Sequence, residues 1–142
     1  MKKSTKFIIA LLVTVGALAI TYRVVNQAPS KDLAADAQMQ EIITSGGCLQ
    51  CHSGSPDLPF YANWPVASGM VQKDVTQGYR AFDMTEMAEA LKAGKPVGKV
   101  ALAKVEKVIM DGTMPKHAYY MVHWGSSVTD AKKEMAMAWV NR

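Results

Sequence analysis

The chain has only two cysteines among its 142 residues, and they stand three positions apart, as Cys48 and Cys51. Small disulfide-stapled scaffolds are thereby excluded. No basic patch with interleaved aromatics occurs, so nucleic-acid binding has no support. The formal charge of +4 is itself partly an effect of the N-terminus, falling to +1 once Lys2, Lys3 and Lys6 are set aside. No internal repeat, low-complexity tract or hairpin pattern is present, and a chain of this length allows one domain after its first segment. What remains is helical periodicity, one long apolar run and a compact cluster of metal-binding chemistry.

The apolar run is Phe7 to Ile20, preceded by the basic stretch Lys2, Lys3 and Lys6. This is the n-region and h-region order of an export signal. Ala17-Leu18-Ala19 supplies a small-x-small cleavage pattern, so cutting after Ala19 gives a soluble exported protein. Apolar character nevertheless continues through Tyr22, Val24 and Val25. Left uncut, residues 7–25 approach the roughly 20 needed to span a bilayer. Three lysines before the run against Arg23 after it keep the N-terminus inside. The expected organisation is a signal peptide or signal anchor over 1–25, a polar linker over 26–34 and a helical domain over 35–142, placed in the periplasm and held to the inner membrane.

The chemistry lies in Cys48-Leu49-Gln50-Cys51-His52, the C-x-x-C-H attachment run for c-type haem. Two thiols at this spacing can add to the two vinyl groups of one porphyrin, while the adjacent imidazole reaches its iron. A redox dithiol of the thioredoxin kind needs a βαβ context that is missing here, and it leaves His52 without a task. The expected cofactor is one haem c, bound covalently through Cys48 and Cys51. Attachment of this kind takes place outside the bacterial cytoplasm, in agreement with the export signal.

Helical spacing predicts an all-α fold. A first helix carries Ala35, Met39, Ile42 and Ile43 on one face and is broken by Gly46-Gly47. A loop rich in proline and small polar residues follows from Ser53 to Pro65, and its aromatics Phe60, Tyr61 and Trp64 are expected to pack on the porphyrin. A second helix is predicted over 66–79 with Val66, Met70, Val71 and Val75 buried. A third starts near Thr85 and ends at Ala93-Gly94, a fourth runs over 99–110, and a last one starts near Ser127 and reaches the C-terminus. Met39, Met70, Met87, Met110, Met135 and Met137 fall inside these helices, where methionine fills core gaps.

The second axial ligand decides whether such an iron moves electrons or handles a small molecule. Met114 sits in Gly112-Thr113-Met114-Pro115, just past a helix end, where a thioether can reach iron from a stiff loop. It is the first candidate. His123 and His117 are the alternatives, and either gives a bis-histidine iron of lower potential. With Met114 in place the chain is an electron carrier, steered by lysines such as Lys73, Lys92, Lys95, Lys99 and Lys116. With the sixth position open, it binds a gas or reduces peroxide.

The order of motifs resembles the small haem-binding domain family: C-x-x-C-H, the segment Leu58 to Val66, a helix holding Asp74 and Gly78, Asp111-Gly112-Thr113-Met114-Pro115, a histidine-containing loop and a terminal tryptophan helix. The likeness spans residues 36–140. It implies a compact monohaem cytochrome c-like fold, with Cys48 and Cys51 as thioether positions, His52 as proximal ligand and Met114 at the family's G-x-M-P methionine. His123 matches the loop histidine, although His123-Trp124-Gly125 stands where relatives often have His-Pro. The family also occurs fused to dihaem cytochrome c peroxidases, including membrane-anchored quinol peroxidases. A peroxidase or a quinol-oxidising membrane protein is therefore the kind of partner implied.

Overall fold

The computed structural model describes residues 3–142, so Lys2 of the basic leader lies outside the described residues. Among them the protein is all-helical, without a strand. Helix α1 (Lys3–Val25) buries none of its residues. It is long and apolar enough to cross a membrane. The remaining chain forms α2 (Ala35–Ser45), a 3-10 turn at Cys48–Gln50, α3 (Ser68–Ala81), α4 (Thr85–Lys92), α5 (Lys99–Asp111), the short α6 (His117–Val122), a second 3-10 turn at Trp124–Ser126, and α7 (Asp130–Val140).

The core lies where α7 packs on α2 and α5, with α4 closing the other side of α2. Met39, Ile42 and Ile43 of α2 meet Met84, Met87, Leu91, Val105, Ala136 and Trp139. Met39, Ile42 and Ile43 follow the three- and four-residue spacing that places side chains on one helix face. The Trp139 indole donates to Asp36 Oδ1 at 2.7 Å, and the Arg142 guanidinium pairs with the same carboxylate. These bonds hold the Asp36 carboxyl below its ordinary range. A depressed carboxylate contributes stability above its unfolded pKa and loses it as pH falls through the folded one. An Asp36→Asn variant is thus expected to melt at a lower temperature than the parent at pH 7, and the difference should shrink on acidification to about pH 3. Paired melting curves across that range check this.

Lys132 is buried inside α7. Its Nζ donates to the Ser127 carbonyl at 3.1 Å and to Ser45 Oγ at 3.4 Å, beside the C-terminal end of α2. A cation there meets the negative end of the helix dipole. Burial still pushes its pKa down.

Two expectations about local structure are corrected. The second helix starts at Ser68, and Val66 lies outside it at 93% exposure. Its inward row is Asp74, Gln77, Gly78 and Ala81, while Val71 and Val75 are only half-buried. Likewise Met70 and Met110 are exposed, so only part of the helical methionine set is packing. Helix α3 turns a polar or small row inward because a cavity lies opposite, whereas Met110 of α5 falls off the face that carries Val105, Val108 and Ile109.

The segment read as a polar linker is fixed at its start. Asn26 is buried; its Nδ2 donates to the carbonyls of Trp124 at 2.6 Å and Tyr22 at 3.0 Å, and its Oδ1 accepts from Ser127 N at 2.9 Å. Pro29 is buried as well. The end of α1 is therefore clamped to the turn after α6.

Candidate functional site

The attachment run is shaped by two glycines. Gly46 closes α2, and Gly47 takes φ +64°, a left-handed conformation that glycine adopts without a Cβ penalty. The chain then turns through Cys48–Gln50, with the amides of Cys51 and His52 both donating to the Cys48 carbonyl. Space is tight on either side: a Cβ on Gly47 would lie 2.0 Å from Tyr119 Oη, and one on Gly78 would lie 2.6 Å from the Cys51 carbonyl oxygen. Helix α3 approaches the Cys-x-x-Cys turn this closely only because residue 78 has no side chain. Gly78→Ala is expected to push α3 away, costing about 1–3 kcal/mol by overpacking. The measurable result is a lower melting temperature together with a lower Soret-to-protein absorbance ratio.

His52 is held from both its backbone and its ring. Its carbonyl accepts from Met84 N at 2.7 Å, and its Nδ1 lies 2.8 Å from the Phe82 carbonyl. A carbonyl can only accept, so Nδ1 carries the proton and Nε2 keeps a free lone pair. That is the tautomer and the backing hydrogen bond of a metal-ligating histidine. The Phe82 ring packs edge-on against the imidazole.

A cavity of about 280 Å³ opens beside this turn. Cys48, Cys51 and His52 line it from one side, Met114 and Pro115 from the loop after α5, and Ile43, Val105, Val108 and Ile109 supply apolar wall. Lys104, Lys116 and Asp74 are its charged lining residues. Lys116 pairs with Asp74 at 2.6 Å, and Lys104 donates to the Ala81 carbonyl at 2.8 Å while lying over the Phe82 ring. The cavity thus brings together the four residues singled out first in the sequence.

His117 and His123 do not line it. The His117 ring is hydrogen-bonded to Tyr120 Oη. The His123 ring stacks on Tyr119 with centroids 4.0 Å apart, and its Nε2 lies 3.1 Å from Tyr61 Oη. The loop aromatics are also displaced from their expected place. Phe60, Tyr61 and Trp64 pack edge-on against one another, away from the cavity. The aromatic lining comes from Phe82 and Tyr119, which the sequence did not single out. Only proximity to Cys48 in the folded chain marks Tyr119, whose hydroxyl donates to Gln50 Oε1 at 2.7 Å. Burial pushes its pKa up to about 12.

The thiols speak against a redox dithiol. Burial raises Cys48 to about 11 and Cys51 above its ordinary value, whereas reactive cysteines of that kind have lowered values. No cluster of three or more His, Cys, Asp or Glu side chains suited to a bare metal ion occurs among the described residues. Two uncharged thiols, a pre-set imidazole and an apolar slot whose lining includes Met39, Met84 and Met114 together fit a covalently held porphyrin.

An all-helical domain whose C-x-x-C-H turn lines an apolar cavity has the make-up of a haem-binding protein. The chain belongs to the haem-binding domain family, which it matches over residues 7–142. It is also similar to the cytochrome c peroxidase Ccp of Escherichia coli (strain K12), with 36% identity over 94 residues. That alignment covers 66% of this chain and 20% of the relative, so the chain corresponds to a fraction of the longer protein. No solved structure matches the chain.

Proposed function

We propose that the protein is a monohaem c-type cytochrome held at the periplasmic face of the inner membrane, where it carries single electrons from a membrane donor to a periplasmic acceptor such as a peroxidase. The observation that supports this most is that Cys48, Cys51, His52 and Met114 line one cavity from which His117 and His123 are absent. In this reading Cys48 and Cys51 form the thioether links, His52 Nε2 is the proximal ligand and the Met114 thioether is the distal one. Bound there, haem c supplies a one-electron iron couple.

The chain's own residues do the rest. The Phe82 carbonyl fixes the His52 ring and raises its basicity as a ligand. Ile43, Val105, Val108 and Ile109 keep water from the slot, and a dry surround tunes the potential of a metal centre. Lys116 is balanced by Asp74 and so adds little net charge to that wall. Helix α1, with Lys3 and Lys6 before its apolar stretch and Arg23 after it, is the membrane anchor. The similarity to a cytochrome c peroxidase favours an acceptor of that kind.

Low-temperature magnetic circular dichroism of the purified ferric protein tests the axial pair directly. A histidine–methionine signature is expected. A bis-histidine signature overturns the Met114 assignment, and rapid carbon monoxide binding to the ferrous protein at neutral pH overturns the carrier reading in favour of small-molecule chemistry.

A further inference from the structure

The stretches Leu58 to Gln72 and His117 to Thr129 are both without a charged residue. The second stretch holds Met121, Val122 and Trp124, exposed at 69%, 66% and 45%. Three large apolar side chains in four positions, without a charge among them, are unusual for a water-facing surface. The position of this patch is informative. Trp124 packs edge-on against Tyr22, near the last turn of α1, with ring centroids 6.4 Å apart. Tyr22 Oη is 2.8 Å from Ser127 Oγ, and a Cβ on Gly125 would touch the Val25 backbone. Asn26 then closes the junction with three hydrogen bonds.

The patch is consequently continuous with the end of α1, the one helix among the described residues long and apolar enough to cross a bilayer. Tyrosine and tryptophan are enriched at that depth, where an apolar ring meets headgroups through its polar edge. Arg23, one residue past Tyr22, is placed to reach lipid phosphates. We propose that the surface formed by Tyr22, Met121, Val122 and Trp124 is seated in the headgroup and upper acyl region of the membrane that α1 spans. The haem domain is then docked on the lipid in one orientation instead of swinging on a tether. The inference rests on the reading of α1 as a retained anchor. It goes beyond that reading by assigning a lipid-binding face to the domain itself.

Met121 and Met110 offer a matched pair for testing it, since their exposures in the chain are 69% and 73%. The full-length haem-loaded protein is placed in nanodiscs of phosphatidylethanolamine and phosphatidylglycerol and exposed to brief hydroxyl-radical pulses. Peptide mass spectrometry then reads the oxidation rates at both methionines and at Trp124. Lipid docking is expected to slow Met121 several-fold relative to Met110, with Trp124 protected alongside it. In an Asn26→Ala, Tyr22→Ala double variant the Met121 rate should rise toward that of Met110. Equal rates in the parent protein overturn the proposal. Equal rates that diverge only when a redox acceptor protein is added overturn it in favour of a protein-docking face. Alkaline carbonate extraction of the native membranes separates the two layers of argument. A chain that stays with the membrane but shows equal rates keeps the anchor and loses the docking; a chain released by carbonate loses both.

Discussion

Replacing Cys48 and Cys51 together by serine is expected to leave a polypeptide that neither retains haem under denaturing conditions nor folds cooperatively. The first result follows from the loss of both proposed thioether links. The second comes from the size of the cavity. An unfilled apolar cavity costs about 24 cal/mol per Å³, so the 280 Å³ space beside the C-x-x-C-H turn represents up to about 7 kcal/mol. Its open mouth makes this an upper bound, since water and side-chain relaxation recover part of it. Even half of that is comparable with the roughly 5–15 kcal/mol that holds a domain together. The single variants should behave differently, each keeping one link and one chance of placing the ring. Haem staining after denaturing electrophoresis should be lost in the double variant and retained in part in each single one. Circular dichroism should show a broad, non-cooperative melt for the double variant. A haem-free double variant melting sharply near the parent's temperature would show that the cavity collapses at little cost.

The site was legible in the sequence where its chemistry is local. Cys48, Cys51 and His52 are neighbours in a turn, and their residue types and spacing carry the meaning without help from the fold. A glycine-bounded helix end followed by proline also singles out Met114 among ten methionines, and it lines the cavity together with Met39 and Met84. Residues brought to the cavity from elsewhere were not. Tyr119 lies in α6, a six-residue helix whose sequence, His-Ala-Tyr-Tyr-Met-Val, is too short to show a period. Phe82 follows the end of α3 and takes its importance from a carbonyl, which no side-chain pattern reveals. The misplaced aromatics illustrate the same limit. Phe60, Tyr61 and Trp64 follow the attachment run closely in the chain, yet they gather around one another and His123 on another surface. Adjacency in sequence is a poor guide across a loop of this length. The inward row of α3 departs from its apolar stripe because hydrophobicity alone does not mark inwardness. Opposite a cavity, small residues such as Gly78 and Ala81 are the inward ones. The fixed start of the linker is hidden in the sequence for a related reason: asparagine is polar and reads as solvent-facing, but Asn26 is buried with its amide paired.

Exchanging Met114, the proposed distal ligand, should move the reduction potential more than any other single change outside the attachment run. A thioether favours ferrous iron and raises the potential relative to imidazole, so Met114→His is expected to lower it by on the order of 0.1 V, within the roughly 0.8 V over which axial ligands act. Met114→Ala removes the ligand altogether. It should convert a ligand-resistant low-spin iron into one that binds carbon monoxide quickly. The control is His123→Ala. Because His123 is stacked on Tyr119 and bonded to Tyr61 away from the cavity, its loss should shift the potential far less and leave the charge-transfer absorption of methionine ligation intact. Spectropotentiometry of the three variants separates the assignments. If Met114→Ala keeps the parent spectrum and His123→Ala loses it, the distal ligand is the histidine, and α6 must move for its ring to reach the iron. If both variants keep the parent spectrum and both bind carbon monoxide as the parent does, the sixth position belongs to neither side chain, and the protein's chemistry lies with a small molecule.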